Sequence, residues 1–427
     1  MKKYLSILLV TVISTLCCHA EITMSQCVDK ALANYPMIRQ YNLIASTRDI
    51  ELSDINKSWL PRINTYAQGT VQNVVPSFPK TLSGVLDQMG QPMEGLSKFQ
   101  YKVGLDVAQT IWDGGVSKAQ REMKRASAQT QKDALDVELY AVRQRVENLY
   151  FAILLTQEQI EQNNNTATLI KSNLEKLRSM LANGTAMQSD VNMVEAQLLG
   201  LEQNIIEARS ALKGYRHVLG LFIGENLDGE QLVRPDIVLP SETESNRPEL
   251  RLFESRLAAT KVTQRLSDTS LMPKIGLFAQ AYYGYPGFDY FKSMINRDLS
   301  FNILAGIKVN WNIDSFYTRK NAARKTTVDR ENILAEKDTF LFNSDMQTAS
   351  QIETIDGLRE VMTNDARIIS LRTSVREAAE SQLRNGIIDT TTLLTKITDE
   401  NQAKLTARFH EIQLLQEITN LKYTLNR

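Results

Sequence analysis

Thiols are scarce in this chain of 427 residues: only Cys17, Cys18 and Cys27. Lys2 and Lys3, the apolar run from Leu5 to Leu16 and the small-residue site Cys18-His19-Ala20 read as an export signal over residues 1–20. Its removal leaves Cys27 alone, and one thiol closes no internal disulfide even in an oxidising compartment. Lipid attachment at Cys17 or Cys18 is disfavoured, because Ser14 or Thr15 stands where a bulky aliphatic residue is wanted. Histidine is equally rare, and His19, His217 and His410 are too scattered for a histidine-based metal site. Charge of one sign is missing too. Lys plus Arg (49) balance Asp plus Glu (49) and no long basic block occurs, which argues against nucleic acid as a partner. After the signal, no run approaches the about 18 apolar residues of a spanning helix. There is no nucleophile elbow, phosphate loop or metal-ligand spacing, and Gly114-Gly115 lacks the rest of a dinucleotide fingerprint. No catalytic residue, cofactor or metal is therefore expected.

What the chain has is duplication. Asn34-Tyr35-Pro36 and Leu60-Pro61-Arg62-Ile63 return as Asn246-Arg247-Pro248 and Met272-Pro273-Lys274-Ile275, with 25 residues between the prolines in each copy. Gly104-Leu105-x-Val107 returns as Gly306-Ile307-x-Val309, and Leu181-Ala182-Asn183-Gly184 as Leu383-Arg384-Asn385-Gly386, both 202 residues later. The period is too long for a solenoid and marks a duplicated half-molecule. The chain divides into the signal (1–20), a first repeat (21–225), a linker (226–245) and a second repeat (246–427).

Each half reads helix, helix, strand, strand, long helix, helix. Pro61 and Pro273 mark helix-to-strand junctions, since proline disfavours helix in the residue before it. Phe99, Tyr101, Val103, Leu105 and Val107 alternate with Gln100, Lys102, Gly104, Asp106 and Ala108. Phe301, Ile303, Ala305, Ile307, Val309 and Trp311 repeat the pattern. Strands are expected at about 62–72, 99–111, 274–285 and 300–312, each with one apolar face. Long helices are expected at about 115–182, 187–222, 315–384 and 389–425. In the first, Leu135, Leu139, Val142, Val146, Leu149, Ile153 and Thr156 open a seven-residue repeat. It runs on through Ile160, Asn163, Ala167, Ile170, Leu174, Leu177 and Leu181, a coiled-coil seam. At about 1.5 Å per residue such a helix reaches roughly 100 Å. Val191, Val194, Leu198, Leu201, Ile205, Ala208 and Leu212 give the returning helix its own stripe.

Four strands with an uncovered apolar face pose a problem. In a bilayer, unpaired edge groups cost several kcal/mol each, so the sheet must close. The smallest common membrane barrels have about eight strands, so copies must pool theirs, two giving eight or three giving twelve. Trp112, Trp311, Tyr282, Tyr283, Tyr285, Phe288, Tyr290 and Phe291 fit an interfacial aromatic girdle.

Several motifs carry a family resemblance. Asn246-Arg247-Pro248-Glu249-Leu250 is close to an RP[DE]L signature, with Asn34-Tyr35-Pro36-Met37-Ile38 as its weaker counterpart. Trp59-Leu60-Pro61 and Gln109-Thr110-Ile111-Trp112-Asp113-Gly114-Gly115 match at the strand boundaries. In this order and in duplicate they resemble the TolC-like outer membrane efflux proteins over essentially the whole mature chain. The resemblance implies an α+β membrane protein. A homotrimer would share a twelve-stranded barrel in outer membrane lipid, and long α-helical hairpins would form a periplasmic α-barrel. It implies a passive duct of Gram-negative bacteria with porin activity, fed by a periplasmic adaptor and an inner-membrane pump of RND or ABC type. Adaptor docking falls on the hairpin tips, at Gly184, Thr185 and Ala186 and at Gly386, Ile387 and Ile388. The periplasmic aperture falls at Asp190, Asp389, Thr392 and Thr395. In the family's namesake, acids ring the second-half helix there; threonines in their place put a strong cation-blocked aperture in doubt. Small-molecule efflux is favoured over type I protein secretion, and the lack of His- or Met-rich tracts leans against a metal exporter. A pore-free periplasmic coiled-coil protein would explain the heptads but not the paired amphipathic strands.

Overall fold

The computed structural model describes residues 22–90, 95–241 and 244–427. The export signal expected over 1–20 lies outside them. The described chain forms two compact units. One comprises residues up to 40, 134–251 and 337–427; the other comprises 41–133 and 252–336.

The second unit is built on one antiparallel sheet. Its strands are β1 (Arg62–Val71), β2 (Phe99–Trp112), β3 (Lys274–Tyr285) and β4 (Ser300–Asn310), in that spatial order. Register follows the alternation in the sequence. Val71 faces Phe99, Val103 faces Tyr283, and Leu277 faces Ile307, so most apolar residues of the four strands share one side, with Phe278 and Leu304 on the other. A register shift between Thr110 and Trp112 adds one residue to β2 and turns Trp112 onto that apolar side, opposite Ile275. The side is bare: Val71, Val103, Phe301, Ile303 and Ile307 are all exposed. Among the described residues, β1 and β4 each have a neighbour on one side only.

Elsewhere in this unit, the loops between paired strands contain short helices that the sequence reading missed, Lys80–Gln88 and Tyr290–Ile295. Two helices precede β1, Met24–Asn34 (α1) and Gln40–Lys57 (α2). One helix, Pro248–Asp268, precedes β3, where two were expected. Here Pro248 starts a helix that runs unbroken to a final 3-10 turn, Thr269–Leu271. Numbered in chain order, the loop helices are α3 and α7, and the helix from Pro248 is α6. Ion pairs hold α2 and α6 to the first turns of the long helix α4 (Val116–Ala182): Lys124 to Glu51 at 2.5 Å and Arg265 to Glu122 at 3.2 Å. Exposed pairs of this kind contribute about 0–1 kcal/mol each.

The first unit is helical. It contains α1, most of α4, its return α5 (Gln188–Ile223), most of α8 (Ser315–Arg384) and all of α9 (Thr390–Leu425). The heptad positions Leu135, Leu139, Val142, Val146, Ile153, Ala167, Ile170, Leu174 and Leu177 are buried, as are Val191, Val194, Leu198, Ile205 and Ala208 on α5. Around residues 146–154 the stripe widens to include Tyr150, Phe151 and Leu154, because α1, α5 and α9 all pack there. Burying each large apolar side chain contributes roughly 1.5–3 kcal/mol. The Tyr150 hydroxyl lies between the carbonyls of Ile22 and Val233, at 2.8 Å and 2.6 Å, and shares its one proton between them. Those carbonyls flank the parallel bridge Ile22–Leu232, so one buried phenol ties the start of the described chain to the segment after α5.

Candidate functional sites: hairpin tips and sheet faces

Each hairpin turns on a glycine. Gly184 and Gly386 adopt φ +75° and +69°, the left-handed region that glycine enters without strain. The Gly184 N–H donates to Leu181 and that of Thr185 to Met180, both at 2.9 Å. Gly386 and Ile387 repeat this onto Leu383 and Gln382, at 3.0 and 2.9 Å. These are Schellman closures, which satisfy the last carbonyls of a helix. The side chains of Asn183 and Asn385 repeat one another as well, donating to the carbonyls of Ser179 and Ser381 at 3.0 and 2.9 Å.

The six expected docking residues do not share one environment. Gly184, Thr185, Gly386 and Ile387 are exposed. Ala186 and Ile388, equivalent by the 202-residue offset, are half-buried and pack on the apolar cluster of the two hairpins. Met187, which sequence reasoning missed, is 72% exposed and adds an apolar side chain to the first tip, as the exposed Ile387 does to the second.

The aperture residues lie one turn further along. Asp190 accepts the Met187 N–H at 3.0 Å through Oδ2, and Asp389 accepts the Thr392 N–H at 2.8 Å through Oδ1. The hydrogen bonds from Thr392 hold the Asp389 carboxyl below its usual range. Thr392 is half-buried and Thr395 exposed, its hydroxyl donating to the Thr391 carbonyl at 3.0 Å. Deeper in the second hairpin, Glu400 is buried among Arg376, Lys404 and Thr373. Burial pushes its pKa up, but the hydrogen bonds from Lys404 and Thr373 and the charges of Lys404 and Arg376 outweigh that and hold it low.

The strand junctions are tight. Pro61 and Pro273 immediately precede β1 and β3. Asp113 accepts the N–H of Gly115 at 2.9 Å and of Ser117 at 2.6 Å, which starts α4. Gly114 sits at φ +71°, and a Cβ there would lie 2.7 Å from that of Met272, so the exit of β2 packs directly on the junction before β3.

The aromatic girdle needs correcting. Trp112, Trp311, Tyr283, Phe288, Tyr290 and Phe291 are exposed as expected. Tyr282 is not part of it. As an even-numbered residue of β3 it lies on the opposite, polar face, where its ring and that of Tyr66 flank the Lys102 ammonium at 5.5 and 5.7 Å. Tyr285 is buried, and its hydroxyl accepts the Ser97 N–H at 2.9 Å.

The RP[DE]L match has a physical role that the sequence concealed. The Arg247 guanidinium lies over three rings, Phe340 at 5.0 Å, Tyr423 at 5.4 Å and Tyr140 at 5.9 Å, and is ion-paired to Glu249. Tyr140 and Tyr423 stack at 4.5 Å. The N–H of the adjacent Asn246 donates to the Leu425 carbonyl at 2.9 Å, at the end of α9. Asn34 does the same for α5, its side chain donating to the carbonyls of Leu221 and Phe222 at 3.3 and 3.1 Å. Tyr35 stacks on Phe222 under Arg145. Both copies of the motif thus pin the end of a returning helix, with cation and ring exchanging places between them.

A sheet bare on its apolar face, joined to helical hairpins closed by duplicated glycine turns, is the fold of the TolC-like channel proteins. The solved outer membrane protein VceC of Vibrio cholerae matches with a TM-score of 0.68 at 12% identity, covering 94% of this chain and 95% of its own. The MtrE outer membrane channel of Neisseria gonorrhoeae (0.66, 13%, covering 94% and 88%) and the CmeC outer membrane channel of Campylobacter jejuni (0.65, 14%, covering 94% and 85%) share the fold. No curated protein matches the sequence. The family model for outer membrane efflux proteins matches residues 27–224, the first repeat. The first repeat thus matches the outer membrane efflux protein family, and the chain as a whole shares the fold of the solved TolC-like channels.

Proposed function

We propose that this chain is the outer membrane channel of a tripartite efflux system, a passive exit duct for small molecules. The observation that carries the reading is the sheet, apolar and exposed on one side, polar on the other, and unpaired at β1 and β4. Pairing β4 of one copy with β1 of the next removes both edges, and three copies of four strands close a twelve-stranded barrel in outer membrane lipid. The hairpins also ask for neighbours. On α8, Val361, Ile368, Leu371 and Val375 are exposed at heptad-like spacing, a stripe that a second copy would cover. This supports a homotrimer whose hairpins extend into the periplasm of a Gram-negative cell.

In this reading the repeats (21–225 and 246–427) are quasi-equivalent halves joined by a linker at 226–245. The tips at Gly184, Thr185, Ala186, Gly386, Ile387 and Ile388 meet a periplasmic adaptor, which joins the duct to an RND- or ABC-type inner-membrane pump. Asp190, Asp389, Thr392 and Thr395 line the aperture. Each acid also accepts a backbone N–H of its own turn, from Met187 to Asp190 and from Thr392 to Asp389. Adaptor docking would replace contacts between neighbouring hairpins and let the hairpins splay.

The test is expression in an efflux-deficient Gram-negative host together with pump and adaptor. Restored resistance to small toxic molecules, with a trimer recovered from the outer membrane fraction, supports the reading. A monomer that stays in the periplasmic fraction refutes it.

A further inference from the structure

We propose that the polar face of the sheet is a cationic filter, and that solutes favoured by the duct carry negative charge. The inference rests on the closed-barrel reading above and supplies its cargo chemistry. The β1–β4 register places Arg62, Lys102, Lys274 and Lys308 on the polar face with a single acid, Asp106. The apolar face carries no charge at all in these strands. Among the described residues, none of the four cations has a carboxylate within the 4.0 Å of an ion pair.

Three of them converge. Arg62, Lys274 and Lys308 line one cavity of about 460 Å³ at the helix-facing end of the sheet. The acid that shares this cavity, Asp113, is already committed to the N–H groups of Gly115 and Ser117. Lys102 lies further along, flanked by the rings of Tyr66 and Tyr282. Aromatic faces hold an ammonium without cancelling its charge. A closed barrel would repeat these cations around its wall. A lumen lined by one sign of charge and walled by low-dielectric material focuses its field on passing ions. The effect weakens with salt, because the screening length falls from about 30 Å at 0.01 M to about 3 Å at 1 M.

Purified protein in neutral-lipid planar bilayers under a KCl gradient tests this through the reversal potential. The expected result is a chloride-over-potassium permeability ratio above one that declines as salt rises. The combined Arg62→Gln, Lys102→Gln, Lys274→Gln and Lys308→Gln variant should lose that preference. Lys102→Gln and Lys308→Gln alone should each lose part of it, and they carry the test if the combined variant does not insert. Channels that prefer potassium, or whose reversal potential is the same in wild type and variants, overturn the filter and leave the channel reading standing. Wild-type protein that forms no channels refutes the barrel on which the filter depends.

Discussion

Replacing Arg247 with alanine should destabilise the helical unit more than any other single change at the repeat motifs. The guanidinium contacts three rings and one carboxylate, and the side chains of Arg247 and Glu249 are each only 15% exposed. A partly desolvated cation–π contact is worth about 0.5–2 kcal/mol. Removing one partner of a fully buried ion pair costs about 3–5 kcal/mol, because the other charge is left without compensation. This pair keeps some solvent, so its share falls below that range, and the expected total is about 3 kcal/mol. The assay is denaturant unfolding of the detergent-solubilised protein, followed by far-UV circular dichroism. A double-mutant cycle with Glu249→Gln isolates the pair. Arg247→Lys should not restore stability in full, since a compact ammonium cannot stack as the planar fork does. A loss below about 0.5 kcal/mol for Arg247→Ala, the range of ordinary surface changes, would refute the reasoning.

Four further outcomes are expected. Gly386→Ala should cost about 1–2 kcal/mol from the left-handed backbone alone, because no atom lies within 4 Å of the added Cβ, and Gly386→Asn should cost less. Tyr150→Phe should cost about 1–3 kcal/mol, since it removes the donor to the Val233 carbonyl, whereas the Ile22 carbonyl keeps the Val233 N–H at 3.3 Å; denaturation midpoints would show it. Burial pushes the Cys27 thiol up to about 11, with Lys30 opposing and Glu225 reinforcing the shift, so native protein at pH 8 should resist a thiol reagent that labels it on unfolding. The stability linked to this thiol is complete below its unfolded value near 9 and is lost as pH rises from there through 11; a Cys27→Ala variant should lack that alkaline decline.

Much of the fold was legible because local periodicity reports on faces. Alternation in β2 and β4 placed Phe99 to Val107 and Phe301 to Val309 on one side, and the heptads of α4 and α5 picked out their buried stripes. Asn-Gly at positions 183–184 and 385–386 marked both tips. What stayed hidden depends on residues far apart in the chain. Arg247 finds Tyr140 and Tyr423, more than a hundred residues away in either direction, and no window around the motif contains those rings. Tyr282 and Tyr283 look alike in composition, and only the strand register separates a polar-face ring from an exposed one. Ala186 and Ile388 read as surface tips until packing between the hairpins draws them inward. The exposed stripe on α8 was obscured because, in the proposed trimer, a second copy covers it.

The central claim, that this sheet closes into a membrane barrel, is tested most directly by cysteine substitution along β4. The native thiol at Cys27 is buried and should not interfere. Single cysteines are placed at each position from 301 to 310 and labelled in proteoliposomes with a water-soluble maleimide. The account expects a period of two. Leu304, Lys308 and Asn310 face the lumen and should label, whereas Phe301, Ile303, Ile307 and Val309 face lipid and should not; Asn302 is buried against the loop after β3 and is left out of the comparison. Equal labelling at both sets would contradict it.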